Sequence, residues 1–141
     1  MRTRMTLLIL FVAVVGALPV VVANQNQQTE ELSEGEAVEL LRAVNTAQLE
    51  LRMAGRQYGQ LEQLLQHRFF AGKELGSNIT KVDSDTGRKK GYEISVYVLG
   101  EGKRYSASVV PVERGCRVAF FTDESGVIYK GRALGCAPPK E

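Results

Sequence analysis

Metal and thiol chemistry have little to work with in this chain, whose 141 residues include one histidine and two cysteines. A zinc site needs about four ligands, usually Cys and His at short spacing. Neither Cys116 nor Cys136 has a second Cys or a His nearby, so no metal site is expected. Charge of one sign is also scarce. Eighteen basic residues face 16 acidic ones, a formal charge of +2, and Arg2 and Arg4 account for that surplus. Without its first residues the chain is formally neutral. Nucleic acid is therefore not an expected partner, because its phosphates require a Lys/Arg-rich face.

What is present begins with "MRTRMTLLILFVAVVGALPVVVANQNQ". Two arginines precede an unbroken apolar run from Met5 to Ala23, and five polar residues follow it. That layout predicts a secretory signal peptide over 1–23. Val21 and Ala23 are small enough for the peptidase pockets, which places the cut after Ala23. The alternative is a retained membrane tether through residues 5–23, since a bilayer crossing needs roughly 20 apolar residues. Pro19 and the lack of Lys or Arg just after the run favour cleavage. Export to the periplasm or the medium follows, with an inner-membrane anchor as the alternative. Residues 24–33 read as a polar linker and 34–141 as a single domain, which is all that a chain of this length has room for.

Within that domain, Ser33-Glu34-Gly35-Glu36 fits a capping box. Ala37, Leu40, Leu41, Val44, Ala47, Leu51 and Ala54 then recur at helical spacing, predicting an amphipathic helix over 34–54 that Gly55 ends. A short helix is expected over 60–68, with Tyr58 and Gly59 as the joint. Residues 71–91 lose periodicity and read as a long exposed loop, with a brief strand at 79–82 at most. From Tyr92 the period changes to two. Runs at 92–98, 104–110, 116–122 and 127–131, separated by "GEG", Pro111 and "DESG", predict a four-stranded antiparallel meander. The fold class expected is α+β, a long N-terminal helix packed on that meander. Cys116 and Cys136, both in the exported part, are expected to form one disulfide, which would stabilise the fold by about 3 kcal/mol through chain entropy.

The runs "AVNTAQLELRMAGRQYGQLEQLL" (43–65), "GYEISVYVLGEGKRYSASVVPV" (91–112) and "FFTDESGVI" (120–128) together resemble the globular part of type IV pilin-like and pseudopilin-like proteins. The resemblance covers Glu34 to Lys130. It implies a pilin-like helix lying across an antiparallel sheet, and it is more specific for fold than for activity. One departure matters. Members of that group carry a short basic leader cut ahead of a Phe-led apolar helix bearing an acidic residue, the class III prepilin leader. Here no such junction precedes the apolar run, and the run contains no acidic residue. The resemblance thus implies an exported, non-catalytic interaction or structural module of the cell envelope, with an unknown envelope protein or surface as partner. The alternative is a membrane-anchored minor pilin or pseudopilin-like subunit of a type II secretion or adhesion apparatus.

Candidate chemistry is sparse. His67 could be a general base with an acidic partner, as in a small hydrolase, but near the end of a short helix an imidazolium also meets the carbonyl dipoles. Asp123, Glu124 and Ser125 suit a hairpin turn better than a catalytic centre. Asp83 and Asp85 open like a calcium loop, yet Arg88, Lys89 and Lys90 arrive where further acidic ligands are needed. Those three basic residues are the expected binding contacts, on the 72–90 loop and the outer sheet face. "GEGK" (100–103) joins strand to strand rather than strand to helix, so it is no phosphate cradle. Asn78-Ile79-Thr80 matches an N-glycosylation triplet. No catalytic residue and no cofactor is expected.

Overall fold

The computed structural model describes residues 31–113 and 115–132. The expected signal peptide 1–23, most of the linker 24–33, and Cys136 lie outside the described residues. Helix α1 runs Glu34–Met53 and helix α2 Leu61–Leu65. The strands are β1 Thr80–Lys81, β2 Thr86–Lys89, β3 Tyr92–Leu99, β4 Arg104–Pro111, β5 Val118–Asp123 and β6 Tyr129–Arg132.

The start of α1 is set locally. The Glu36 N–H donates to Ser33 Oγ at 3.2 Å, and the Ser33 N–H donates to Glu36 Oε2 at 2.8 Å, a reciprocal capping box. Its end is equally local. Gly55 takes φ +71°, its N–H donates to the Arg52 carbonyl, and the Arg56 N–H reaches the Leu51 carbonyl, both at 2.9 Å. That is a Schellman ending, which needs a residue tolerant of positive φ at Gly55. Helix α2 is shorter than the 60–68 expected, and turns such as His67 N–H to Leu64 carbonyl, 2.9 Å, carry the chain onward.

The expected four-stranded meander is corrected to a six-stranded antiparallel sheet in the order β1-β2-β3-β4-β5-β6. Of the two added strands, β1 lies within the brief strand read at 79–82, and β2 comes from the residues read as loop. Strand β2 pairs with β3 in the register Lys89 to Tyr92 and Thr86 to Ser95. Lys90 and Gly91 turn the hairpin with φ +47° and +76°, as a two-residue turn between twisted strands requires. The physical reason the periodicity missed β2 is that its inward positions are Gly87 and Lys89 instead of apolar residues. A Cβ on Gly87 would stand 2.8 Å from Ile79 Cγ2 and 3.3 Å from Leu61 Cδ2, so the missing side chain lets α2 lie directly on the sheet. The single-disulfide part of the expected fold is not established either. No free cysteine occurs among the described residues, but Cys136 is not one of them.

Helix α1 lies against β4 and β5, and α2 against β2 and β3. Leu40, Leu41, Val44 and Leu51 of α1 are sealed against Ile94, Val96, Val109 and Phe120 of the sheet. Each such aliphatic side chain contributes about 1.5–3 kcal/mol by leaving water. The alternate residues of β3 to β6 face away from both helices.

Candidate functional site

A cleft of about 230 Å³ opens where α1 meets the β5–β6 turn, lined by Asn45, Leu49, Tyr58, Tyr105, Glu124 and Ser125 among others. Asn45 is its organising residue. Its Nδ2 donates to Thr122 Oγ1 at 3.1 Å and to the Gly126 carbonyl at 3.0 Å. Its Oδ1 accepts from the Tyr105 hydroxyl at 2.7 Å and from Thr122 Oγ1 at 3.2 Å. A side-chain amide has two N–H donors and two carbonyl lone pairs, so the Asn45 amide is saturated and positions its neighbours. Tyr58 meets Tyr105 edge to face with centroids 4.8 Å apart, and burial pushes the Tyr105 hydroxyl well above the usual tyrosine range. Arg104 Nε donates to Glu124 Oε1 at 2.7 Å on the rim. Glu124 is held below the usual carboxylate range, first by its own backbone N–H and then by Arg104.

Gln48, one turn along α1, does for the joint what Asn45 does for the turn. Fully buried, it donates Nε2 to the Gly59 carbonyl at 2.7 Å and accepts the Gly59 N–H at 2.8 Å. The polar residues of "NTAQ" and the Gly of "YG" thus form a clamp. A Cβ at Gly59 would stand 2.9 Å from Leu51 Cδ1, so glycine also allows the close approach.

The remaining chemistry is drawn into turns and pairs. Asp123 Oδ1 accepts the Ser125 N–H at 2.9 Å, Ser125 Oγ accepts the Val127 N–H at 3.3 Å, and Gly126 closes the turn at φ +74°. The Ser125 contacts hold the Asp123 carboxyl below its ordinary range. Asp83 Oδ1 accepts the N–H groups of Asp85 and Thr86 at 2.8 and 2.7 Å, shaping the β1–β2 turn. The Thr86 contact is the main cause lowering its carboxyl. Among the described residues no group of three His, Cys, Asp or Glu side chains could hold a metal ion.

His67 is brought to an acidic partner that sequence spacing did not single out. Its Nε2 lies 3.2 Å from Glu50 Oε2 of α1, where Arg68 also binds, and its ring stacks on Phe69. The other ring nitrogen, Nδ1, is buried with no hydrogen-bond partner among the described residues.

Arg88, Lys89 and Lys90 do not form one face. Strand alternation turns Arg88 outward, where it lies 3.7 Å from Glu93. Lys89 is turned inward and is only 6% exposed, with Nζ donating to the Glu74 and Leu75 carbonyls at 2.8 and 2.9 Å. Lys90 Nζ donates to Glu36 Oε1 at 2.7 Å, linking the β2–β3 turn to the helix cap. Asn78 is exposed with φ +61°, and "GEGK" is the β3–β4 hairpin, whose Gly102 carbonyl accepts the Tyr58 N–H at 3.2 Å. No family model, curated protein or solved structure matches this chain.

The surface that sequence reasoning named only in outline is the sheet face opposite α1. Tyr97, Phe121 and Tyr129 stand exposed on it. The period-two pattern of β3 and β5 carried that signal, since Tyr97 and Phe121 occupy the out-facing phase.

Proposed function

We propose that this chain is an exported, non-catalytic interaction or structural module of the cell envelope, similar to the globular heads of pilin-like proteins. One observation carries the reading. The helices seal one face of a continuous six-stranded sheet, while the opposite face displays three exposed aromatic rings. Exposed apolar groups collected on one face mark a surface that meets something.

Two further features support it. The side chains that could do chemistry, Asp83, Asp123, Glu124 and Ser125, are committed to turns and a rim ion pair. The "AVNTAQ" and "FFTDESG" runs that carry the pilin-like resemblance meet through Asn45, Thr122 and Gly126. Retention of residues 5–23 would make the same head a membrane-anchored minor pilin or pseudopilin-like subunit. Fractionation of expressing cells, with mass spectrometry of the N-terminus, tests both. Asn24 as the first residue in the periplasm or medium is expected, and Met1 in the membrane fraction would mark the anchored form. An unprocessed chain in the cytosol would overturn the proposal.

A further inference from the structure

The cleft between α1 and the β5–β6 turn opens on the helix side of the sheet, opposite the three exposed rings. Its volume of about 230 Å³ is below the roughly 300–1,000 Å³ of sites for drug-sized ligands, so it suits one small ring and not a length of chain. Leu49 makes an apolar wall, 58% exposed although it stands on the helix that supplies the core. Tyr58, held edge to face by Tyr105, makes another. Before any ligand arrives, the saturated Asn45 amide already fixes Tyr105 and the turn, which leaves little ordering to be done on binding.

The polar lining is mostly hydroxyl. Ser125 Oγ accepts the Val127 N–H at 3.3 Å and keeps its own proton to donate. Tyr105 gives its proton to Asn45, and Thr46 gives its proton to the Arg42 carbonyl at 2.8 Å, so both retain lone pairs. The Tyr58 hydroxyl makes no hydrogen bond among the described residues. A hydroxyl donates once and accepts twice, so a ligand that carries hydroxyls of its own can use both roles of this lining. Charge selects against ions. Arg104 and Glu124 on the rim are joined to each other at 2.7 Å, and Arg52 lies over the Tyr58 ring, 5.3 Å from its centroid, while donating to the Arg56 carbonyl. A cationic ligand would compete with Arg104 for Glu124, and an anionic one with Glu124 for Arg104.

We propose that this cleft binds a neutral pyranose sugar, one ring at a time. The C–H face of the ring lies against Leu49 and Tyr58, and its hydroxyl edge meets Ser125, Tyr105 and the Arg104–Glu124 pair. A carboxylate beside a guanidinium offers an acceptor and a donor next to each other, which two neighbouring sugar hydroxyls can answer together. The site is independent of the aromatic sheet face, since no residue of that face lines the cleft.

The test is a titration of the isotope-labelled full chain followed by amide NMR, with methyl β-glucoside, methyl β-galactoside, methyl α-mannoside and methyl β-N-acetylglucosaminide as probes. At least one should give saturable shifts centred on Thr46, Ser125 and Gly126, with a Kd of about 1 mM, the strength of a single small ring in an open site. Tetrahydropyran, a comparable ring without hydroxyls, should bind about tenfold more weakly or worse, because it leaves the polar groups of the site unpaired. Glu124→Gln should weaken the glycoside about tenfold. Leu49→Glu, at an exposed helix position, should abolish binding by placing a charge in the wall. Far-UV circular dichroism checks both folds, and either variant alone decides if the other is unfolded. Val82→Ser, 53% exposed beside β1 at the other end of the sheet order, should bind as the parent does. Several results would overturn the site: no saturable shift with any of the glycosides, shifts centred away from the cleft, tetrahydropyran binding as tightly as the glycosides, tighter binding of butylammonium or butyrate, or folded cleft variants that bind like the parent. The interaction-module reading would survive any of them, because the opposite face carries it.

Discussion

Replacing Asn45 with alanine removes four hydrogen bonds at once, and their surroundings determine the cost. Tyr105 and Thr122 are each 3% exposed, so their hydroxyls lose a partner where water has poor access. The Gly126 carbonyl lies at the exposed end of the network and can turn to solvent. A buried polar group left unsatisfied costs about 1–3 kcal/mol. With Tyr105 bearing most of that cost and Thr122 a smaller share, Asn45→Ala should destabilise the domain by about 2–4 kcal/mol. Against a total of roughly 5–15 kcal/mol, that is a large fraction. For a domain of about 100 residues it corresponds to a melting temperature lower by roughly 10–20 °C.

Calorimetry or thermal circular dichroism measures the shift, and a double-mutant cycle with Tyr105→Phe isolates the contact. In the Tyr105→Phe background the hydroxyl is already absent, so Asn45→Ala should cost less, with a coupling of about 1 kcal/mol or more. If Asn45→Ala melts within about 2 °C of the parent, or the two substitutions add to within about 0.5 kcal/mol, the network is not what binds the last hairpin to α1.

Three further outcomes follow from the same geometry. Gln48→Ala leaves the Gly59 N–H and carbonyl without buried partners, so it should cost about 2–3 kcal/mol and speed amide exchange at Gly59, read by NMR. Gly87→Val drives a side chain into Ile79 and Leu61 and removes about 1–3 kcal/mol, seen as a lower urea midpoint with an unchanged slope. Glu36 is held at about 2 by hydrogen bonds from Lys90 and Ser33. A depressed carboxyl contributes stability above its unfolded value, and that contribution is lost as pH falls from about 4.5 towards 2. Urea midpoints across that window should fall for the parent and fall less steeply for Glu36→Gln. Asp83 and Asp123 add slope of the same sign in both proteins.

Helix α1 was legible almost to the residue, 34–54 expected against Glu34–Met53 found. Both of its ends are closed by hydrogen bonds spanning only three to five residues, and such bonds are written in adjacent letters. Strands β3 and β4 were legible for a similar reason, since alternation of Ile94 and Val96, or of Tyr105, Ala107 and Val109, is itself the burial pattern. Strand β1, Thr80–Lys81, falls inside the brief strand read at 79–82. Strand β2 was not legible: its inward residues are a glycine and a lysine, and only the pairing with β3 shows what they face. The basic run at 88–90 was visible as charge, but its division into one outward, one inward and one cap-bound residue was not. His67 was noticed, yet Glu50 lies 17 positions earlier and no spacing rule connects them.

By itself, the order of residues determined where the long helix begins and ends, that most of the sheet is antiparallel, and that Asp123 to Gly126 form a turn, because each depends on neighbours within a few positions. Folding decided that Lys89 points inward, that Asn45 holds Thr122 and Gly126 from 77 and 81 positions away, and that three rings share an open face. Those outcomes depend on which surfaces meet once the chain has collapsed, and a side chain's partner across the core leaves no mark on the letters beside it.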